Sequence, residues 1–263
     1  DNGTYWRIYD SVENSYSLDK VESPEQFYIT AKAFGRFAYD LNDFDASQLV
    51  EVIPQFHDTR NRYRQLEEAI REDRVGRVKE VQEEIAFIQN RKADCFLLYD
   101  LLDEGVLPLR VTHNDTKLNN IMFDSETKEP LCIVDLDTVM PGLVLFDFGD
   151  SIRFGANDCA EDEPDLSKVN FDFDLYETYV KGFIEGTNGI LTEAELEYLP
   201  WGARVITLEQ GIRFLTDYIN GDVYYATTRP GQNLDRARTQ LKLVQDMENV
   251  WDKMVEAVKN AQK

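Results

Sequence analysis

The residues best suited to chemistry lie in Val111-Thr112-His113-Asn114-Asp115-Thr116-Lys117-Leu118-Asn119-Asn120 and in the later run Ile133-Val134-Asp135-Leu136-Asp137. A carboxylate at Asp115 can take the proton of an attacking hydroxyl, and an amide oxygen at Asn120 can hold a magnesium ion. A loop turning between two short strands brings both groups to one place. Asp135 closes the apolar run Leu131 to Val134 and delivers a second carboxylate from the next strand. Magnesium prefers one or two carboxylates together with phosphate oxygens and water, so Asn120 and Asp135 suffice as the protein's share. The chemistry implied is phosphoryl transfer to a hydroxyl.

His113, Asp115 and Asn120 fit the form H-x-D-x-x-x-x-N of a kinase catalytic loop, and Asp135 stands where the magnesium-binding Asp of the D-F-G motif would be. Lys117 takes the position of a phosphate-contacting lysine in such loops, where it offsets charge on the transferred group. The histidine of this motif packs the loop and bonds its backbone, so His113 is read as structural. The loop pattern alone is a weak signal, and its pairing with a strand-borne Asp is stronger. A rival reading exists. Leu131-Cys132-Ile133-Val134-Asp135-Leu136-Asp137-Thr138 resembles the D-x-D-x-T nucleophile motif of haloacid-dehalogenase-type phosphatases, with Asp135 as nucleophile and Asp137 as acid or base. That fold needs alternating strands and helices downstream, whereas this sequence turns helical.

The elements around the loop read as mainly α with a small β insert. Ser23-Pro24-Glu25-Gln26 starts a helix, with Ser as N-cap and Pro at its first position, and Phe27, Ala31, Phe34, Phe37, Ala38 and Leu41 form its apolar face. Further helices begin near Asp58 and carry Tyr63, Leu66 and Ile70, then Val78, Val81, Ile85 and Ile88. Short apolar runs at Val106 to Thr112, Ile121 to Phe123 and Leu131 to Val134 predict small strands. From Phe171 the period is helical again, with a Thr192/Glu195 capping box, a long segment ended by Asn220-Gly221, and a final helix carrying Leu234, Leu241, Val244, Trp251 and Val255. Tyr5-Trp6-Arg7-Ile8-Tyr9-Asp10 reads as an edge strand. His57, just before the Asp58 helix start, reads as a surface residue.

Composition narrows the partners. A formal charge of -22 excludes nucleic acid, which is held by clustered Lys and Arg. It also repels anions at long range, favouring a neutral or cationic acceptor, although a few placed arginines could still bind an anion locally. The acidic runs Asp158 to Asp165 and Asp172 to Glu177 read as solvated faces rather than metal sites. No apolar run is long enough for a membrane span and the N-terminus lacks signal-peptide character, so a soluble cytoplasmic protein is expected. Cys95, Cys132 and Cys159 read as free thiols.

Beyond these motifs the chain resembles the C-terminal lobe of N-acetylhexosamine 1-kinases, within the aminoglycoside phosphotransferase and choline kinase superfamily. The resemblance runs through nearly the whole chain. It rests on Ala33-Phe34-Gly35-Arg36-Phe37, Ile53-Pro54-Gln55-Phe56-His57-Asp58-Thr59, the Thr112 to Lys117 loop, Val134 to Gly142, Asp147-Phe148-Gly149-Asp150, Leu208 to Tyr218, and Asn233-Leu234-Asp235-Arg236. It implies transfer of the ATP γ-phosphate, with Mg2+, to the anomeric hydroxyl of an N-acetylhexosamine in carbohydrate metabolism. It implies Asp115 as catalytic base, Asn120 and Asp135 as metal ligands, and Arg213, Tyr224 and Trp251 around the sugar. Tyr224 and Trp251 also admit a plainer reading as core aromatics. Asp147 and Asp150 are expected to brace the catalytic loop. Choline, homoserine and aminoglycoside kinases, and a non-catalytic sugar-binding fragment, remain alternatives.

The resemblance also implies a division of the chain. Residues 1–20 would be the last strand and hinge of an N-terminal lobe that covers ATP, and 21–263 the catalytic and substrate-binding lobe. That N-terminal lobe is expected to be largely absent from this sequence, which carries no glycine-rich phosphate loop. The 263-residue chain alone is therefore expected to be weakly active or inactive.

Overall fold

The computed structural model describes Gly3 and residues 6–263. Tyr5 of the expected edge strand lies outside them. Residues 6–10 form no strand: Trp6, Ile8 and Tyr9 are exposed and have no neighbouring strand to pair with. The strand falls later, at Ser15–Tyr16 (β1).

Helix α1 (Pro24–Asp40) starts as read, with the Ser23 hydroxyl accepting the Gln26 N–H at 3.2 Å and Phe27, Ala31, Phe34 and Ala38 buried. Helix α2 (Thr59–Glu72) is capped by the Asp58 carboxylate on the Asn61 N–H. The next amphipathic segment is not one helix. A 3-10 turn over Val78–Glu80 precedes α3 (Gln82–Gln89), and α4 (Lys92–Asp103) follows after a turn. The β insert comprises β2 (Arg110–Thr112), β3 (Ile121–Asp124), β4 (Pro130–Ile133) and β5 (Met140–Gly142). Strands β1, β3 and β4 make one antiparallel sheet in that order, with Ile121 opposite Ile133. Strand β2 pairs antiparallel with β5, placing Thr112 opposite Met140.

The rest is helical: α5 (Val144–Gly155), α6 (Phe173–Thr187), α7 (Glu193–Asn220), α8 (Gln232–Asn249) and α9 (Trp251–Ala261). The Thr192/Glu195 capping box forms, and Gly221 ends α7 in the left-handed conformation. The segment read as one final helix breaks at Val250 into α8 and α9.

Two apolar cores meet along α7. Leu199, Ala203 and Ile206 belong to one, shared with α1, α5, α6 and α9, while Leu208, Ile212 and Leu215 belong to the other, shared with α2, α3 and α8. Helices α5 and α7 touch backbone to backbone, because Gly149 and Gly202 face each other and a Cβ on Gly149 would collide with the Gly202 carbonyl. That contact fixes the helix carrying Asp147 and Asp150 against the helix carrying Glu209 and Arg213. Among the described residues no helix is long and apolar enough to cross a membrane.

Candidate active site

Strand β2 runs into the turn His113-Asn114-Asp115, a 3-10 turn over Leu118–Asn120 follows, and β3 leaves. Asn114 sits at φ 64°, a left-handed conformation that asparagine tolerates better than most residues. It reverses the chain so that Asp115 leaves the core while its neighbours stay buried.

The buried side of this loop is tied to α5. The Asp147 carboxylate, 3% exposed, accepts the His113 N–H at 2.8 Å and the Asn114 N–H at 2.7 Å. Burial pushes its pKa up to about 6, against the pull of His113 and of those two N–H groups. Thr116 donates to the Asp147 carbonyl and Ser151 to the Thr116 carbonyl, both at 2.6 Å. His113 Nε2 bonds the Val134 carbonyl at 3.0 Å, and the ring lies edge-on to Phe34 and Phe37. Asp150 sits near the loop in an ion pair with Arg153 at 2.8 Å. Burial opposes its ionisation, but Arg153, His57 and Lys117 outweigh this and hold its pKa below the usual value.

His57 is not a surface residue. It is 8% exposed, with Nδ1 3.0 Å from a Glu209 oxygen and Nε2 3.0 Å from the Asn114 carbonyl. Both ring nitrogens face acceptors, so the ring satisfies both only as the doubly protonated imidazolium. Burial disfavours that charge, yet Glu209 more than compensates and raises the His57 pKa. Burial likewise acts against the Glu209 carboxylate, but His57 lowers its pKa, and Thr59 adds a hydrogen bond at 2.6 Å. Sequence missed this pair because its members are 152 residues apart.

The open side of the loop holds groups with capacity to spare. Lys117 Nζ lies 2.7 Å from Asp115 Oδ1. Asn120 Nδ2 donates to the Asp115 carbonyl at 2.7 Å and reaches Asp115 Oδ2 at 3.2 Å. The Asn120 amide group is thereby turned with its oxygen unspent. The Val134 N–H bonds the Asn120 carbonyl at 2.9 Å, which sets Asp135 beside Asn120 across the β3–β4 ladder. Asp135 is exposed at φ 59° and forms no ion pair among the described residues. Asp137 is bonded to Arg7 instead, on the protein surface.

A cleft of about 410 Å³ opens above Asp115 and Lys117. Its far wall comes from α7, the segment after it, and α8: Gln210, Arg213, Phe214, Tyr225 and Arg236. Arg213 Nη1 donates to Gln210 Oε1 at 3.1 Å, and Gln210 Nε2 donates to the Tyr225 hydroxyl at 3.3 Å. Lys117, Arg153, Arg213, Arg236 and the protonated His57 face it against the carboxylates Asp115, Asp150 and Glu161. In a chain of charge -22, cations prevail here.

Of the acceptor residues expected from resemblance, Arg213 therefore shares the cleft with Asp115. Tyr224 does not line it: 73% exposed, it stacks edge-on against Tyr225, which occupies the wall in its place. Trp251 is also elsewhere, packed 5.0 Å from Trp201 with Arg204 over both rings. The plainer reading, a packed aromatic at the start of α9, describes it. Gln210 on α7 and Arg236 on α8 lie in segments that carry the resemblance but are not singled out as site residues, and Tyr225 carried no signal because a turn after α7 places it. The Asp217 carboxylate makes that turn by accepting the N–H groups of Val223, Tyr224 and Tyr225.

The family model described as "Phosphotransferase enzyme family" matches residues 1–178. A choline/ethanolamine kinase family protein from Mesorhizobium loti has a similar structure, with TM-score 0.50 and 16% identity over 94% of this chain and 72% of that one. Choline kinase from Cryptosporidium parvum gives TM-score 0.51 and 13% identity over 93% of this chain and 73% of that one. These two likenesses speak for the fold. With more than half of it matched by the family model, the chain belongs to the phosphotransferase enzyme family.

Proposed function

We propose that this member of the phosphotransferase enzyme family moves the γ-phosphoryl group of ATP to a hydroxyl of a neutral, polar acceptor. The favoured acceptor is an N-acetylhexosamine, converted at its anomeric hydroxyl to the sugar 1-phosphate. The observation that carries the reading is the open side of the loop: Asp115 at the cleft floor, Asn120 with its amide oxygen unspent, and Asp135 unpaired beside it.

In this reading Asp115 accepts the proton of the acceptor hydroxyl as that oxygen bonds to the γ-phosphorus and the bond to the bridging oxygen of ADP breaks. The proton ends on Asp115 and the negative charge leaves with ADP. Lys117 keeps the Asp115 carboxylate oriented at 2.7 Å and adds positive charge beside the transferred group. Asn120 and Asp135 would hold magnesium, which neutralises phosphate charge when bound; one amide oxygen and one carboxylate suit its preference. His113, Asp147 and Asp150 hold the loop in place. A coupled ADP-release assay with ATP, Mg2+ and an N-acetylhexosamine tests the reaction: acceptor-dependent release of ADP is expected, and release that does not depend on the acceptor would contradict it.

The charge of the cleft supports a neutral acceptor over choline. A quaternary ammonium is held by aromatic faces and carboxylates, whereas here Arg213 and Arg236 take the far wall. Their fixed N–H groups suit hydroxyl and acetamido oxygens. Calorimetric titration with N-acetylglucosamine, N-acetylgalactosamine, choline, homoserine and an aminoglycoside tests the assignment. Saturable heat with an N-acetylhexosamine, lost on Arg213→Ala, is expected. Binding of choline or another panel member in its place would sink the sugar assignment while leaving the phosphotransferase fold.

A further inference from the structure

Behind Arg213 lies a second, smaller cavity of about 170 Å³, lined also by Arg62, Thr216, Tyr224 and Tyr225. It falls below the ~300 Å³ at which pockets begin to hold drug-sized ligands, so a small ion fits and a nucleotide does not. Arg62 and Thr216 do not line the cleft, so the inference below shares only Arg213 with the phosphotransfer reading.

The surroundings of this cavity depart from the habits of the rest of the chain. Carboxylates outnumber cations overall, and among the described residues every arginine except Arg62, Arg64 and Arg213 is ion-paired with one. Arg64 is exposed to water. Arg62 and Arg213 instead share one cavity wall. Arg62 uses Nη2 on the Phe56 carbonyl at 2.8 Å and Nη1 on Gln65 at 3.2 Å, while its Nε is buried with no partner. Burial, and then the charge of Arg213, lowers the Arg62 pKa.

Thr216 repeats the pattern. Threonines inside helices usually return their hydroxyl to the carbonyl four residues back, as Thr30, Thr178, Thr207 and Thr239 do here. The Thr216 hydroxyl is buried and makes no such bond. Asp217, the carboxylate that also lines the cavity, cannot serve the arginines. Its oxygens are engaged by the Val223, Tyr224 and Tyr225 N–H groups and by Asn233 Nδ2. Two neighbouring guanidiniums without a carboxylate partner thus line a space of ionic size, and two of its lining residues, Arg62 and Thr216, carry a buried polar atom without a partner. One oxyanion can accept from both guanidiniums at once.

We propose that this cavity is a binding site for a small oxyanion, phosphate or carboxylate, held by the guanidiniums of Arg62 and Arg213 and the hydroxyl of Thr216. The test titrates inorganic phosphate, and separately acetate, into the whole chain at about 0.15 M chloride, so that the acidic surface is screened. Saturable binding is expected, weakened about tenfold or more by Arg62→Gln and less by Thr216→Val. Tighter phosphate assigns the natural ligand to phosphates and tighter acetate to carboxylates; either sustains the site. If Arg62→Gln fails to fold, Thr216→Val alone decides. Absence of saturable binding by either anion, or binding equal to wild type in the folded variants, overturns the proposal.

Discussion

Asp147 and Asp135 are the same residue type on opposite sides of one loop. Asp147 is buried, spends its oxygens on the His113 and Asn114 N–H groups, and is pushed up to about 6 by its surroundings. Asp135 is exposed, unpaired among the described residues, and sits in a left-handed conformation. The buried side is saturated with internal bonds and serves to hold shape, while the open side keeps its bonding capacity for something outside the protein. Removing a residue from the first side should cost stability, and removing one from the second should cost function.

The largest stability effect is expected at the His57–Glu209 pair. His57→Ala leaves a buried carboxylate with only the Thr59 hydroxyl for company and should lower stability by about 3–5 kcal/mol, measured by urea unfolding. A cost below about 1 kcal/mol would show that the frame does not depend on the pair. The same pair sets a pH dependence. The His57 pKa is raised above its ordinary 6.5, so its contribution is complete below that value and is lost as pH climbs through the folded-state value. The Glu209 pKa is depressed below 4.5, so its contribution is complete above that value and is lost as pH falls through the folded-state value. The stability gap between wild type and His57→Gln should therefore be widest between pH 4.5 and 6.5 and should narrow on either side. A gap that grows with rising pH would contradict the imidazolium assignment.

On the open side, Asp135→Ala should lower ATP-dependent turnover by about 10²–10³ while leaving stability within about 0.5 kcal/mol. Loss of folding in that variant would blur the contrast with Asp147. The smallest effect belongs to Asp137→Ala, which removes one exposed ion pair with Arg7. Stability should change by no more than about 1 kcal/mol and turnover not at all. Abolished turnover would instead favour the phosphatase-like D-x-D-x-T reading.

Much of the frame was legible in sequence wherever the signal is local. The Ser23 cap, the Thr192/Glu195 capping box and the Gly221 stop each lie within a few residues of what they control. The loop read from its spacing does lie between β2 and β3, with Asn120 bonded to Asp115 and the Val134 N–H bonded to the Asn120 carbonyl. Elements without local punctuation stayed hidden. Helix α5 is buried almost all round, its charged Asp147, Asp150 and Arg153 included, so its polar positions do not mark a solvent-facing side, while the break at Val250 has neither Gly nor Pro to mark it. Strand β5 exists only because β2 pairs with it. The segment Trp6 to Asp10 alternates like a strand, but it lacks a partner. The far wall of the cleft was the least legible part. Tyr225 reaches it through the turn that Asp217 holds, a bond pattern that no residue spacing announces, and Arg236 reaches it from α8.

The most direct test of the open side as the working side is 31P NMR of this chain with ATP, Mg2+ and N-acetylglucosamine, comparing wild type with Asp115→Asn. The account predicts a growing sugar 1-phosphate resonance in the wild type, suppressed about 10²–10⁴-fold in a variant of unchanged stability. Equal product from Asp115→Asn would contradict it.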